Sequence, residues 1–311
     1  MRNIAFAATA LTLVFSCNEE SMPDVVNRNL AAVNFTASGH VTKTVFGSPD
    51  NGCYPVLWTE NQKVALFYNS QTGNEEWTDG AQYVTPVPSE DGLTASFSAS
   101  FSKEESDRHS FFAFSPLESL KWMGNEDWNG VGEKVVYAIL PADQIPHMGT
   151  CDEKGQLLVA KADFPVYPEN VTLAFTHLSA YGKIASLELP EEAFLGESDD
   201  SGIVGVLLET NKPISGEIYS NFDGNTVYVH SDATNYIYLN VNNELRGKAL
   251  VDVFFACVPM QLAEGDKLKV TVYTTSDTWV KTINFSSSHA LSFSPGRISS
   301  FSISSDGFKK L

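Results

Sequence analysis

The chain has 311 residues and carries 20 basic against 38 acidic side chains, a formal charge of −18. A surface of that sign repels nucleic acid and anionic lipid, and no basic cluster larger than Lys309-Lys310 offsets it, so nucleic-acid binding is excluded. Aromatic residues make up 12% of the chain, and Ser, Thr and Val are abundant, which favours strands over helices.

Arg2 precedes an apolar run from Ile4 to Phe15, too short to span a bilayer as a permanent helix, which fits a secretory signal peptide. The run closes on Val14-Phe15-Ser16-Cys17. This resembles the bacterial lipobox, with an aliphatic residue three before the cysteine and a small one just before it. Residues 1–16 are therefore expected to be removed and Cys17 to carry lipid. Two or more acyl chains give stable anchoring at about 0.8 kcal/mol per buried methylene. The alternative is an ordinary signal peptide with a chance cysteine at its end. Asn18-Glu19-Glu20 resembles the acidic tag that sends lipoproteins of Bacteroides-type bacteria to the outer face of the outer membrane; the competing reading is a solvated spacer.

Residues 17–30 form a polar spacer. Val33 to Ser38 alternate apolar and polar, as a half-buried strand does. Val56 to Tyr68 predicts two strands joined by a tight polar turn. Leu93, Ala95, Phe97, Ala99 and Phe101 alternate with Thr94 and three serines, the least ambiguous strand of the chain. Phe111 to Ser115 is an apolar run ended by Pro116. Leu117 to Gly132 is predicted to be a loop rich in Trp, Asn and Gly, and Val135 to Leu140 a strand. Leu157 to Ala160 fits a strand or a short helix. Phe164-Pro165-Val166-Tyr167-Pro168 is expected to mark a domain boundary, because two prolines in four residues favour extended linker.

The second half repeats the style. Val171–Phe175, Tyr181–Leu189 (with Gly182 as a candidate bulge), Val204–Leu208, Thr226–His230, Tyr236–Val241, Val251–Val258, Leu268–Tyr273, Trp279–Phe285 and Ile298–Ile303 are predicted strands. Turn clusters such as Asp223-Gly224-Asn225 and Glu264-Gly265-Asp266 separate them. Short strands at this spacing imply β-sandwiches, one in 31–168 and one in 169–311.

Four cysteines occur, at 17, 53, 151 and 257. With Cys17 lipidated, at most one internal disulfide forms. A Cys53–Cys151 bridge is allowed, while Cys257 sits in an apolar run and reads as a buried hydrophobe. The spacing fits no zinc site.

The order of several short segments resembles the fimbrillin-like (Mfa-like) family of bacterial surface lipoproteins. They are Phe35-Thr36-Ala37-Ser38, Lys43-Thr44, Trp58 to Val64, Phe111 to Pro116, Leu140 to Gln144, Phe175 to Ala180, Glu264 to Leu268 and Phe293 to Ile298. Asn61-Gln62 and Pro295-Gly296-Arg297 depart from the family's usual turn residues. The resemblance implies an all-β chain of two tandem transthyretin-like β-sandwich domains behind a lipoprotein signal peptide. It further implies a surface-exposed, lipid-anchored protein of the outer membrane, a fimbrial (pilus) or adhesive subunit whose partners are other subunits or surface ligands. In shaft subunits an Arg-specific protease frees the first strand, and a neighbour's strand fills the groove. Arg28 is the only arginine in the spacer. A cut there leaves Val33–Ser38 in place, and few residues follow the last strand, so a tip, accessory or stand-alone role is expected rather than a polymerising shaft. Arg28 as an ordinary solvated residue remains the alternative.

The six histidines are scattered, and no nucleophile elbow, P-loop or dinucleotide fingerprint occurs, so no enzymatic activity, metal or cofactor is expected. His177 reads as a structural residue. The acidic run Glu197 to Asp200 lacks the ligand pattern of a calcium loop. A second function class is glycan capture in a nutrient-uptake system, with Trp77, Trp122 and Trp128 as loop indoles that stack on sugar rings. The competing reading, that these indoles plug the ends of the sandwiches, is preferred.

Overall fold

A computed structural model describes residues 30–38, 45–46, 56–60, 62–70, 77–128, 131–195, 201–224 and 226–311. The signal peptide, Cys17, the spacer with Arg28, Cys53 and the acidic run 197–200 lie outside the described residues. The chain is all-β. Its first strands are β1 (Leu30–Ser38), β2 (Val45–Phe46), β3 (Val56–Leu57), β4 (Val64–Asn69), β5 (Gln82–Val84), β6 (Val87–Pro88), β7 (Ala95–Ser102) and β8 (His109–Ser115). There follow β9 (Leu120–Trp128), β10 (Val131–Leu140), β11 (Asp143–Gln144), β12 (Leu158–Phe164), β13 (Asn170–Ala174), β14 (Thr176–His177) and β15 (Ala180–Glu188). Next are β16 (Ile203–Thr210), β17 (Gly216–Asn221), β18 (Val227–Val229), β19 (Tyr236–Asn240) and β20 (Ala249–Cys257). The chain closes with β21 (Met260–Leu262), β22 (Lys267–Thr274), β23 (Thr278–Asn284), β24 (Leu291–Phe293), β25 (Ile298–Ile303) and β26 (Lys309–Lys310).

Five larger sheets stack in layers. The first has the order β13-β1-β7-β6 and the second β14-β12-β8-β4-β5. Period-two burial on β1 and β7 sends Val33, Phe35, Phe97 and Phe101 inward, where they meet Leu66, Tyr68 and Phe111 of the second sheet in one apolar cluster. Phe35 stacks on Phe97 at 5.3 Å between centroids and sets its edge against Phe111 at 5.5 Å. The second sheet is buried on both faces: every residue of β4 and β8 is buried. That explains why Phe111-Phe112-Ala113-Phe114 is continuously apolar rather than alternating.

The other face of the second sheet helps to form a central cluster. Ala65, Phe112, Phe114 and Val159 pack there with Val136 and Ala138 of β10, Ile218 of β17, Tyr181 of β15 and Phe254 of β20. The third sheet, β18-β17-β10-β9, and the fourth, β20-β15-β25, both contribute to it. The fourth sheet turns its remaining face (Ile184, Val253, Phe255) toward the fifth, β11-β19-β16-β22-β23-β26, around a third cluster that includes Val206, Leu239 and Val270.

Strand pairs cross residue 168, where the prolines suggest a boundary: β13 pairs in parallel with β1, β17 antiparallel with β10, and β11 in parallel with β19. Several expectations need correction. The segment expected as loop from Leu117 to Gly132 is instead a 3₁₀ turn at Leu117–Ser119 followed by strand β9. Its Trp, Asn and Gly residues hide a strand because no period-two alternation runs through them. β3 and β4 do not pair with each other; β3 pairs with β2, and β4 with β5 and β8. Leu93 lies in the turn before β7 and is exposed. The register shift in β15 falls between Ile184 and Ser186, not at Gly182. Gly182 serves close approach instead: a Cβ there would collide with the Phe255 ring. Cys151 is a buried free thiol, as is Cys257; Cys53, the other half of the bridge allowed by the sequence, is outside the described residues.

Candidate functional site

The third sheet turns one face to the central cluster, through Met123, Val136, Ala138 and Ile218, and the other to solvent. Because strand side chains alternate, the residues between these form the outer face. The register places Trp122 opposite Tyr137, Tyr137 opposite Tyr219 and Tyr219 opposite Tyr228. One aromatic row therefore crosses all four strands.

The rings touch along the row. Trp122 and Tyr137 meet edge to face at 5.4 Å, Tyr137 and Tyr219 stack at 5.1 Å, and Tyr219 and Tyr228 stack at 5.2 Å. Aromatic pairs at these separations contribute about 0.5–1.5 kcal/mol each beyond their burial. Trp122 lies against its own strand at Gly124, where a Cβ would overlap the indole. Glycine at this position lets the indole settle on the backbone. The two end rings stay open to solvent, Trp122 at 44% and Tyr228 at 40% exposure.

A polar group of residues lies beside the row. Glu217, opposite Ile139 of β10, is buried and accepts a charge-assisted hydrogen bond from the Lys121 ammonium. His230 Nδ1 lies 3.9 Å from Glu217 Oε2 and 3.8 Å from Asp232 Oδ2. The His230 backbone N–H donates to the Glu217 carbonyl at 3.0 Å, which fixes the end of β18. The three potential ligand atoms of Glu217, His230 and Asp232 lie within 4.8 Å of one another. They suit a cation poorly, because Lys121 already neutralises Glu217 and His230 Nδ1 accepts from the Asp232 N–H at 3.3 Å.

The three tryptophans named from the sequence have different environments. Trp122 is on strand β9 and forms the end of the row. Trp128 is also on β9, with its side chain outside the described residues. Trp77 is partly buried against the central cluster, 5.0 Å from Phe67 and 5.2 Å from Phe112, with the Lys134 ammonium 4.2 Å above its ring. Burial there pushes Lys134 down to about 8. Trp77 thus fills the core edge. Sequence reasoning misses Tyr137, Tyr219, Tyr228 and Glu217; the signal for them is the outward parity of β10 and β17 combined with cross-strand register, which needs the pairing to be known.

The histidines inside the sheets are structural. His177 Nδ1 and the Tyr181 hydroxyl are 2.7 Å apart, as are His109 Nδ1 and the Tyr68 hydroxyl, both pairs buried. His109 is held below its usual value by burial, which outweighs the Ser106 carbonyl and Asp107. Shallow depressions lie elsewhere among the described residues. One of about 530 Å³ lies over the fifth sheet, between Glu209, Lys269 and Asp277; one of about 340 Å³ lies at Arg108 and Asp163.

No protein-family model and no curated protein matches the chain. Among solved structures, it is similar to a cell adhesion protein of Bacteroides ovatus at 13% identity and TM-score 0.47, covering 90% of this chain and 96% of that one. A cell adhesion protein of Bacteroides uniformis aligns at 15% identity and TM-score 0.45, with 90% and 96% covered. A fimbrial assembly protein of Parabacteroides distasonis aligns at 11% identity and TM-score 0.44, with 90% and 94% covered.

Proposed function

We propose that the chain is a non-enzymatic adhesion protein of the cell surface, lipid-anchored in the outer membrane through Cys17, and that it serves as a tip, accessory or stand-alone subunit of a fimbrial system. The observation that carries this is where the motif segments fall in the fold. Trp58 is buried 5.2 Å from Phe175. Ser115 closes β8 and accepts from the buried Gln62 amide at 2.6 Å. Gln144 joins β11 to β20, and Gly296 meets the His177 ring. These contacts lie at buried joints of the fold, so the order of their segments along the chain encodes an architecture. Outside those joints the described residues build an exposed contact face.

The tip or accessory assignment rests on β1. It lies between β7 and β13, bonded to both, and begins at Leu30. A cut behind Arg28 leaves that strand in place, so no groove opens for a neighbour's strand. A deletion strain tests the proposal by adherence to immobilised host and bacterial cells, with negative-stain microscopy for filaments. Loss of adherence restored by complementation is expected. Unchanged adherence together with unchanged filaments overturns the proposal.

A further inference from the structure

We propose that the outer face of the third sheet binds carbohydrate, with Trp122 and Tyr228 stacking on sugar rings and Glu217, Lys121 and His230 bonding to hydroxyls. This supplies a ligand class for the adhesive role above and rests on that reading only for exposure at the cell surface; it does not require entry into a filament.

Three observations select this ligand. The first is chemical. A sugar ring has apolar C–H faces and a rim of hydroxyls that both donate and accept. The face offers the matching pair of features, aromatic rings in one row and a fixed carboxylate–ammonium pair with an imidazole in the next. Glu217 is buried, so its orientation is set before any ligand arrives.

The second is size. Trp122 and Tyr228 are less than half exposed, Tyr137 and Tyr219 less so, and the neighbouring Ile139 is 47% exposed. Together they offer on the order of 400 Å² of apolar surface. The strip is large enough for a short oligosaccharide, whereas a folded partner would have to cover the flanking polar surface as well to reach roughly 800 Å² on its side.

The third is charge. Aromatic rows also stack on nucleobases, but a chain of net charge −18 repels a polyphosphate, and the charge of Lys121 is already offset by Glu217. A neutral, hydroxyl-rich ligand remains.

The test uses the full-length chain with Cys17→Ala, so that it is free of lipid, on a printed array of host N- and O-glycans and plant and yeast polysaccharides. Binding to at least one glycan class is expected. Trp122→Ala and Tyr228→Ala should each weaken it about tenfold or more. Tyr83→Ala, which removes an exposed ring on β5, should leave it unchanged. Thermal melting of each variant checks that the fold is retained. An array with no bound glycan overturns the proposal, as does binding that survives in the well-folded Trp122→Ala/Tyr228→Ala double variant. Self-association by sedimentation that this double variant abolishes also overturns it, in favour of a homotypic contact. Binding lost with chelator and restored by calcium overturns the direct hydroxyl role of Glu217. Adherence and filament microscopy are separate readouts, so glycan binding can fail while the surface role stands.

Discussion

Gln144 is the side chain that most directly ties residues before the expected boundary to sheets after it. It is buried, and its amide donates to the Ala256 carbonyl at 2.7 Å and to the Pro141 carbonyl at 2.9 Å. Its Oε1 accepts from the Ala256 N–H at 2.9 Å. Strand β20 is the outer strand of its sheet, so the Gln144 amide acts as one peptide unit of a further strand. Gln144→Leu would keep the volume and strand two backbone groups of Ala256 in a dry site. Each such group costs about 1–3 kcal/mol, partly offset by leucine burial. The expected loss is about 3 kcal/mol, or roughly 6 °C in Tm for a chain of this size. Urea unfolding of the lipid-free full-length chain reads the change. A single transition is expected, because the central cluster draws on both halves of the chain. Gln144→Glu adds a sign test. Facing two carbonyl oxygens, the new carboxyl must have a raised folded pKa, so its penalty is small near pH 4 and grows as pH rises toward 7. A loss below about 1 kcal/mol for Gln144→Leu, or two separate transitions in the parent chain, would refute this reasoning.

Other outcomes follow from single contacts. Gly182→Ala drives a Cβ into the Phe255 ring and should cost about 2–3 kcal/mol of overpacking; adding Phe255→Leu should recover part of that in the same melts. His109 is depressed by burial, so its contribution is full above the unfolded value near 6.5 and is lost as pH falls below it. Chemical denaturation at about pH 7.5 and about pH 5.5 should therefore give a stability drop that shrinks in His109→Asn, while Asp163, held low by Ser110 and Lys161, stays ionised across that window. Burial raises both Cys151 and Cys257 thiols, so iodoacetamide at about pH 8 should label neither in the native protein and both after denaturation, read by peptide mass spectrometry. Asp79→Ala removes the carboxylate that holds the Ser102 N–H at 2.5 Å and hydroxyl at 2.8 Å. It should cost about 2–3 kcal/mol, and a variant as stable as the parent would contradict the role given to that carboxylate.

Much of the strand content is legible because alternation is a local signal. The Ala95-to-Phe101 pattern appears as β7 with its phenylalanines inward, and Ile298–Ile303 is a strand over the expected residues. What escapes is non-local. Nothing in the order Lys121-Trp122-Met123-Gly124 says that glycine accommodates an indole, so β9 reads as loop. The prolines at 165 and 168 signal extended chain, but sheet membership is decided by partners more than a hundred residues apart, such as Asn34 with Asn170. The candidate site illustrates the same limit. Trp122 is visible as an exposed-ring candidate, whereas its row with Tyr137, Tyr219 and Tyr228 exists only through the register of three strand pairs.

The most direct test of a tethered surface contact protein is antibody labelling of intact cells that express the native chain or Cys17→Ala. The native chain should label on unbroken cells and partition with the outer membrane, and the Cys17→Ala chain should appear in soluble fractions with surface label lost. Label that appears only after lysis, or equal membrane partitioning of both chains, would contradict the account.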